Sequence, residues 1–178
     1  GAMYTLISDQ IDWQHIKRPQ NIEYHRVFDT KQQTGAYHFL HGVSVDHYEG
    51  LLVVSFALNE GNENTITEKL MVCYSADEGM TWSKPEMIGK PGGYANSHSV
   101  FLSHKGDLWC FGPRFKGLGT PPVTTKGHKT IHFVDLQLEA WRYNGSDWIG
   151  LGIVGDDIWP LGMPERMENG NYFIAGCD

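Results

Sequence analysis

The chain has 178 residues, of which 40% are hydrophobic and 20% charged. That balance excludes a disordered chain, and no apolar run approaches the ~20 residues that a membrane-spanning helix needs. The net charge is −7 with only 14 Lys+Arg, scattered along the sequence, so no basic face is expected and nucleic-acid and membrane partners are set aside.

Gly1-Ala2-Met3 reads as an expression scar, and residues 4–178 are treated as one domain with no signal peptide at their start. Helical periodicity is scarce. Short β-branched and aromatic runs separated by Gly, Asn, Asp and Pro predict an all-β fold. The stretch NIEYHRVFD (21–29) predicts a lone strand that completes a sheet made elsewhere in the chain. A hairpin follows in HGVSVDHYEGLLVVSFAL (41–58), then a third strand in KLMVCYS (69–75) and a fourth over Lys84 to Ile88. A second hairpin lies in SHSVFLSHKGDLWCFGPR (97–114), continued by HKTIHFVDL (128–136), LEAWRYNG (138–145) and DWIGLGIV (147–154). A third opens in GMPERMENGNYFIAGCD (162–178). Cys73, Cys110 and Cys177 stand far apart in apolar runs and read as buried free thiols rather than a disulfide framework.

Each hairpin turns through a polar segment ending in Gly50, Gly106 or Gly170, spaced 56 and then 64 residues apart. Hairpins recurring at that distance predict the four-stranded blades of a β-propeller. The first blade is placed at about 36–90, the second at about 95–155 and the start of a third at about 160–178. Two and a half blades leave open edges, so the ring is expected to be completed by a further part of the protein or by a second chain.

Between the third and fourth strands of the first unit stands Ser75-Ala76-Asp77-Glu78-Gly79-Met80-Thr81-Trp82. Asp77 can accept bonds from turn N–H groups and from the Thr81 hydroxyl, Gly79 tolerates positive φ, and Trp82 can fold back as an apolar wedge between sheets. Asn144-Gly145-Ser146-Asp147-Trp148 is a degenerate counterpart in the second unit. The S-x-D-x-G-x-T-W pattern resembles the Asp box of the sialidase-like propellers, a superfamily of sialidases, other glycosidases, lyase-type enzymes and sugar-binding propellers. The resemblance covers about residues 36–178 and implies a structural role for Asp77, on the face opposite an active site. It also implies a carbohydrate-active protein that meets glycans in the periplasm or outside the cell. The Arg-Ile-Pro motif of sialidases is not matched by Ile16-Lys17-Arg18-Pro19, and the chain has five arginines in all.

In such a ring, the starts of first strands and the ends of second strands surround the central pocket. In the first unit those places hold His38, His41 and the acidic segment Asn59–Asn64, with Asn64 at its end. The second offers Tyr94, Asn96, His98, Arg114 and Lys116, and the third Glu165, Arg166 and Asp178, with Trp159 in the preceding loop. Cleaving a glycosidic bond commonly takes one proton donor and one nucleophile or base. The expected catalytic residues are therefore His41, His98 and Glu165. Arg114, Arg166, Asn64, Tyr94 and Trp159 are expected to bind substrate, the arginines by gripping a carboxylate and Trp159 by stacking on a sugar. The expected substrate is an acidic oligosaccharide, cleaved by a glycoside hydrolase or a lyase-type glycosidase. No cofactor is called for, and no metal, since His38 and His41 at i and i+3 point to opposite faces of a strand.

Each residue has a plainer reading: the histidines as structural groups bonded to backbone, Arg114 as a solvated side chain, and the 60–64 loop as a solvated turn. Glu165 and Arg166 alternate, so only one of the two faces the pocket. At the level of the whole chain, the alternative is a non-catalytic propeller that binds glycan or protein through the same face.

Overall fold

The computed structural model describes residues 21–32, 35–89, 92–117, 123–124, 130–131 and 133–178. The chain is all-β, and no α-helix occurs among the described residues. The first sheet is an antiparallel meander of β1 (Phe39–Tyr48), β2 (Leu51–Asn59), β3 (Lys69–Ser75) and β4 (Glu86–Met87) in chain order. Its first hairpin closes through Glu49 and Gly50, at φ 47° and 86°. Two successive positive-φ residues give the turn whose twist matches that of its strands, so glycine suits the second place.

The second sheet repeats the plan. β5 (Ala95–Asn96) and β6 (Val100–His104) both pair with β7 (Asp107–Gly117), and the turn between β6 and β7 again uses two positive-φ residues, Lys105 and Gly106. A small separate ladder of β8 (Val123–Thr124) and β9 (Thr130–Ile131) intervenes before β10 (Phe133–Tyr143) and β11 (Trp148–Asp156) complete the order. Two short ladders follow: β12 (Trp159–Pro160) with β15 (Gly176–Cys177), and β13 (Glu165–Arg166) with β14 (Tyr172–Phe173).

Several expectations change. Of the run expected at 128–136, Thr130 and Ile131 form β9, while residues 133–136 join the run expected at 138–145 in one strand, β10, which absorbs the break as a bulge between Val134 and Gln137 with Asp135 at φ 55°; His128, Lys129 and His132 lie outside the described residues. The 21–29 segment forms no strand. It lies on the first sheet, where Phe28 stacks on Phe56 at 5.4 Å. Of the three thiols, Cys73 and Cys110 are buried, which pushes them up to about 11 and about 12, whereas Cys177 is exposed.

Strand alternation divides the core. Val53, Leu70 and Val72 of the first sheet meet Phe101, Leu108, Cys110, Trp141 and Tyr143 of the second, and each large side chain buried there contributes roughly 1.5–3 kcal/mol. The seam ends in aromatic rings: Tyr143 packs on Tyr48, Tyr74 and Trp148, and the Trp148 indole N–H donates to the Tyr74 hydroxyl at 2.8 Å. Val54, Phe56, Leu58 and Cys73 form a cluster on the other face of the first sheet.

The Ser75–Trp82 turn closes on Asp77. Its carboxylate accepts the Thr81 amide at 2.8 Å, the Thr81 hydroxyl at 2.6 Å and the Ser75 hydroxyl at 2.8 Å. Those donors, the Thr81 hydroxyl foremost, hold the carboxyl down at about 2. Gly79 has φ 91°, and its carbonyl accepts the Trp82 indole N–H at 2.9 Å. Trp82 then packs on the Val54–Phe56 cluster, the face turned away from the second sheet, rather than wedging between the two. The counterpart turn keeps part of the scheme: Asn144 accepts the Ser146 and Asp147 amides at 2.9 and 2.8 Å.

Candidate functional site

Both first strands break step at the same height. One extra residue lies between His41 and Ser44 against β2, and another between Asn96 and Val100 against β7. Bulges of this kind re-aim side chains. Gly42 in the first break has φ 62°, and a Cβ there would stand 2.1 Å from the His98 ring, so His98 lies directly on bare Gly42 backbone. His41 and His98 meet edge to face with ring centroids 5.5 Å apart.

Behind His41 sits Glu68, its side chain fully buried. One carboxylate oxygen accepts the His41 Nε2–H at 2.9 Å together with the Ser97 hydroxyl; the other accepts the Asn59 amide at 3.0 Å together with the Asn64 backbone N–H. The Asn59 carbonyl oxygen in turn takes the Thr65 hydroxyl at 2.6 Å, the Glu60 amide at 2.9 Å and the Thr67 hydroxyl. The acidic segment after β2 is therefore stapled at both ends, not a loose solvated turn. Burying a carboxylate is costly unless its lone pairs are filled, and here four donors fill them.

His98 is held differently. The indole N–H of Trp159 donates to His98 Nε2 at 3.0 Å, which places the ring proton on Nδ1. Burial, then the nearby charge of His41, depresses the tendency of His98 to take a second proton. Trp159 is itself buried, stacked on Phe115 at 5.4 Å and tilted against Phe133 at 5.2 Å. Its face is committed to the core and is not a sugar platform.

These residues border an open cavity of about 340 Å³, reached by His41, Glu63, Asn64, His98, Trp159 and Asp178. Glu63 lies 3.9 Å from His41 Nδ1, and the Asn64 side-chain oxygen is buried with no hydrogen-bond partner among the described residues. The structure thus gathers four of the expected residues: His41, His98, Asn64 and the edge of Trp159.

It does not gather the rest. Phe115 faces the Trp159 core, so its neighbour Arg114 points to the opposite side of β7. There the Arg114 guanidinium lies 3.6 Å over the Tyr94 ring and donates to Gln137 at 2.9 Å, with Glu139 4.0 Å away. Arg114 borders a separate groove of about 580 Å³ with Glu86, Glu139, Trp141 and Trp148. Glu165 and Arg166 are both exposed on a two-residue strand, and neither lines the cavity. The third side of the cavity comes from Trp159, Leu161, Cys177 and Asp178. His38 approaches the Thr30 carbonyl at 3.4 Å.

Glu68 is the residue that sequence reasoning missed. A signal existed: Glu68 stands immediately before β3, two residues ahead of Leu70 and four ahead of Val72, so it extends the inward-facing alternation of that strand, and all three are buried.

No protein-family model matches the sequence, and no curated protein matches it. Solved structures do. A protein of unknown function from Dyadobacter fermentans DSM 18053 is 17% identical with a TM-score of 0.52, covering 72% of this chain and 43% of its own. The Hadza microbial sialidase Hz136 is 14% identical with a TM-score of 0.54, covering 78% of this chain and 32% of its own. The chain spans less than half the length of either. At these identities the likeness is one of fold: an all-β chain similar to part of a sialidase.

Proposed function

We propose that the chain is part of a glycan-cleaving enzyme of the sialidase-like β-propeller kind, working at the His41–His98 cavity. The observation that carries this is the convergence of two histidines with Glu63 and Asp178 around one open cavity, at matching heights of two successive sheets. A proton donor and a carboxylate beside a polar cleft are what glycosidic cleavage uses, by hydrolysis or by elimination. The expected acidic group of the substrate rested on Arg114 and Arg166, and neither lines the cavity.

A second part of the proposal is that further strands complete the ring. Exposed Ile149, Leu151, Ile153 and Val154 on edge strand β11 support it, as does the partial coverage of both similar structures. Native mass against denatured mass tests for a second chain.

The activity test is a panel of neutral and acidic oligosaccharides and aryl glycosides, run with the wild type and His41→Ala. An enzyme loses roughly 10²–10⁴-fold in turnover on losing a general acid–base while retaining part of its glycan binding. Glycan binding without turnover across the panel replaces the enzyme by a glycan-binding propeller.

A further inference from the structure

The cavity's two histidines resemble each other in sequence but are wired to opposite partners. His41 donates through Nε2 to a carboxylate, which leaves Nδ1 without its proton in the neutral ring. Nδ1 is the nitrogen on the Glu63 side, and the His41 side chain is 18% exposed. His98 accepts through Nε2 from an indole that can only donate, so its proton stays on Nδ1. Packing fixes both rings: Gly42 backs His98, and the Glu68 carboxylate, saturated by Ser97, Asn59 and the Asn64 amide, backs His41.

The geometry assigns the two histidines different work: His41 exchanges the proton through Nδ1, with Glu68 as its positioning residue, and His98 serves as a neutral Nδ1–H donor to bound ligand. The proton-exchange role rests on the glycan-cleaving reading above, whereas the opposite tautomers stand independently of it. Glu68 does not reach substrate, because its four lone-pair sites are occupied and it is buried. It acts by holding the Nε2 proton in place, so that Nδ1 accepts a proton from, or returns one to, a group in the cavity. The charged and titratable groups around this pair are Glu63 and Glu68 from the loop before β3, the free thiol of Cys177 on β15, and Asp178 after it.

The test is NMR of the histidine ring nitrogens on the intact protein, with the pH raised until the spectra themselves report both rings as neutral. The expected result is an Nε2–H ring for His41 and an Nδ1–H ring for His98. Glu68→Gln, whose amide can donate to His41, should move the His41 proton to Nδ1 and leave His98 unchanged. Trp159→Phe keeps the aromatic packing but removes the donor; it should release His98 Nε2 and leave His41 unchanged. Finding the same tautomer in both wild-type rings, or a Glu68→Gln protein that folds yet keeps the His41 pattern, overturns the assignment. Should Glu68→Gln fail to fold, the wild-type and Trp159→Phe spectra still decide it. Absence of turnover on every glycan, with the tautomers as assigned, removes the glycan-cleaving reading and leaves the wiring intact.

Discussion

The chain contains two carboxylate-centred networks of similar size and opposite design. Asp77 gathers its donors from within four residues, in an exposed turn. Glu68 gathers His41 and Ser97 from 27 and 29 residues away, in a site sealed from solvent. The first network can form as soon as its own turn folds. The second draws His41, Asn59 and Asn64 from the first sheet and its loop, and is completed by Ser97 only when the second sheet docks, so in full it reports the tertiary fold. Water replaces the partners of an exposed carboxylate cheaply, but a buried donor that loses its acceptor has nowhere to turn.

The strongest way to break this contrast is Glu68→Ala, which orphans several donors at once. It is expected to cost about 4 kcal/mol, read as a shift in the urea midpoint, and a loss as small as that of a surface site would show the network to be water-accessible. Gly42→Ala follows. A methyl at φ 62° would overlap the His98 ring, so about 3 kcal/mol should be lost together with the His98–Trp159 contact, visible in the histidine and indole NMR signals. Trp82→Ala removes the half-buried ring that ties the exposed turn to Phe56; about 2 kcal/mol is expected in the same denaturation assay, with the His41 and His98 signals unmoved.

The smallest effect belongs to Asp77 itself. Its carboxyl is held at about 2, below the ordinary 3.8, so its contribution to stability is complete above the ordinary value and is lost as pH falls toward about 2. Asp77→Asn should flatten the pH dependence of the thermal midpoint across that window. An unchanged slope in Asp77→Asn would assign the acid sensitivity to other carboxylates.

The same contrast explains what was legible in the sequence. The hairpins at Gly50, Gly106 and Gly170, and the Ser75–Trp82 turn, are written in contiguous residues, and local geometry alone demands them. The cavity depends on distant pairings. His41 and His98 were legible as equivalents near the start of two similar strands, but the partners that distinguish them, Glu68 and Trp159, come from other elements. Trp159 reads as a platform for sugar until Phe115 and Phe133 are seen to occupy its face. Arg114 illustrates a one-residue error of side: the burial of Phe115 next to it sends the guanidinium to Tyr94 and a different groove. Glu165 differs again, because the short β13–β14 ladder leaves it and Arg166 exposed and outside the cavity lining.

The ring cluster that closes the seam between the sheets has an optical consequence. Trp148 is stacked on Phe101 at 5.9 Å, lies 5.1 Å from Tyr143 and is hydrogen-bonded across the seam to Tyr74. Chromophores so close and so fixed couple their transitions, and they generate a near-ultraviolet dichroic band that vanishes once the rings can turn freely. The protein therefore carries an intrinsic gauge of sheet-to-sheet docking, readable without a label. On a stopped-flow instrument it would separate the moment the sheets meet from the moment each sheet forms.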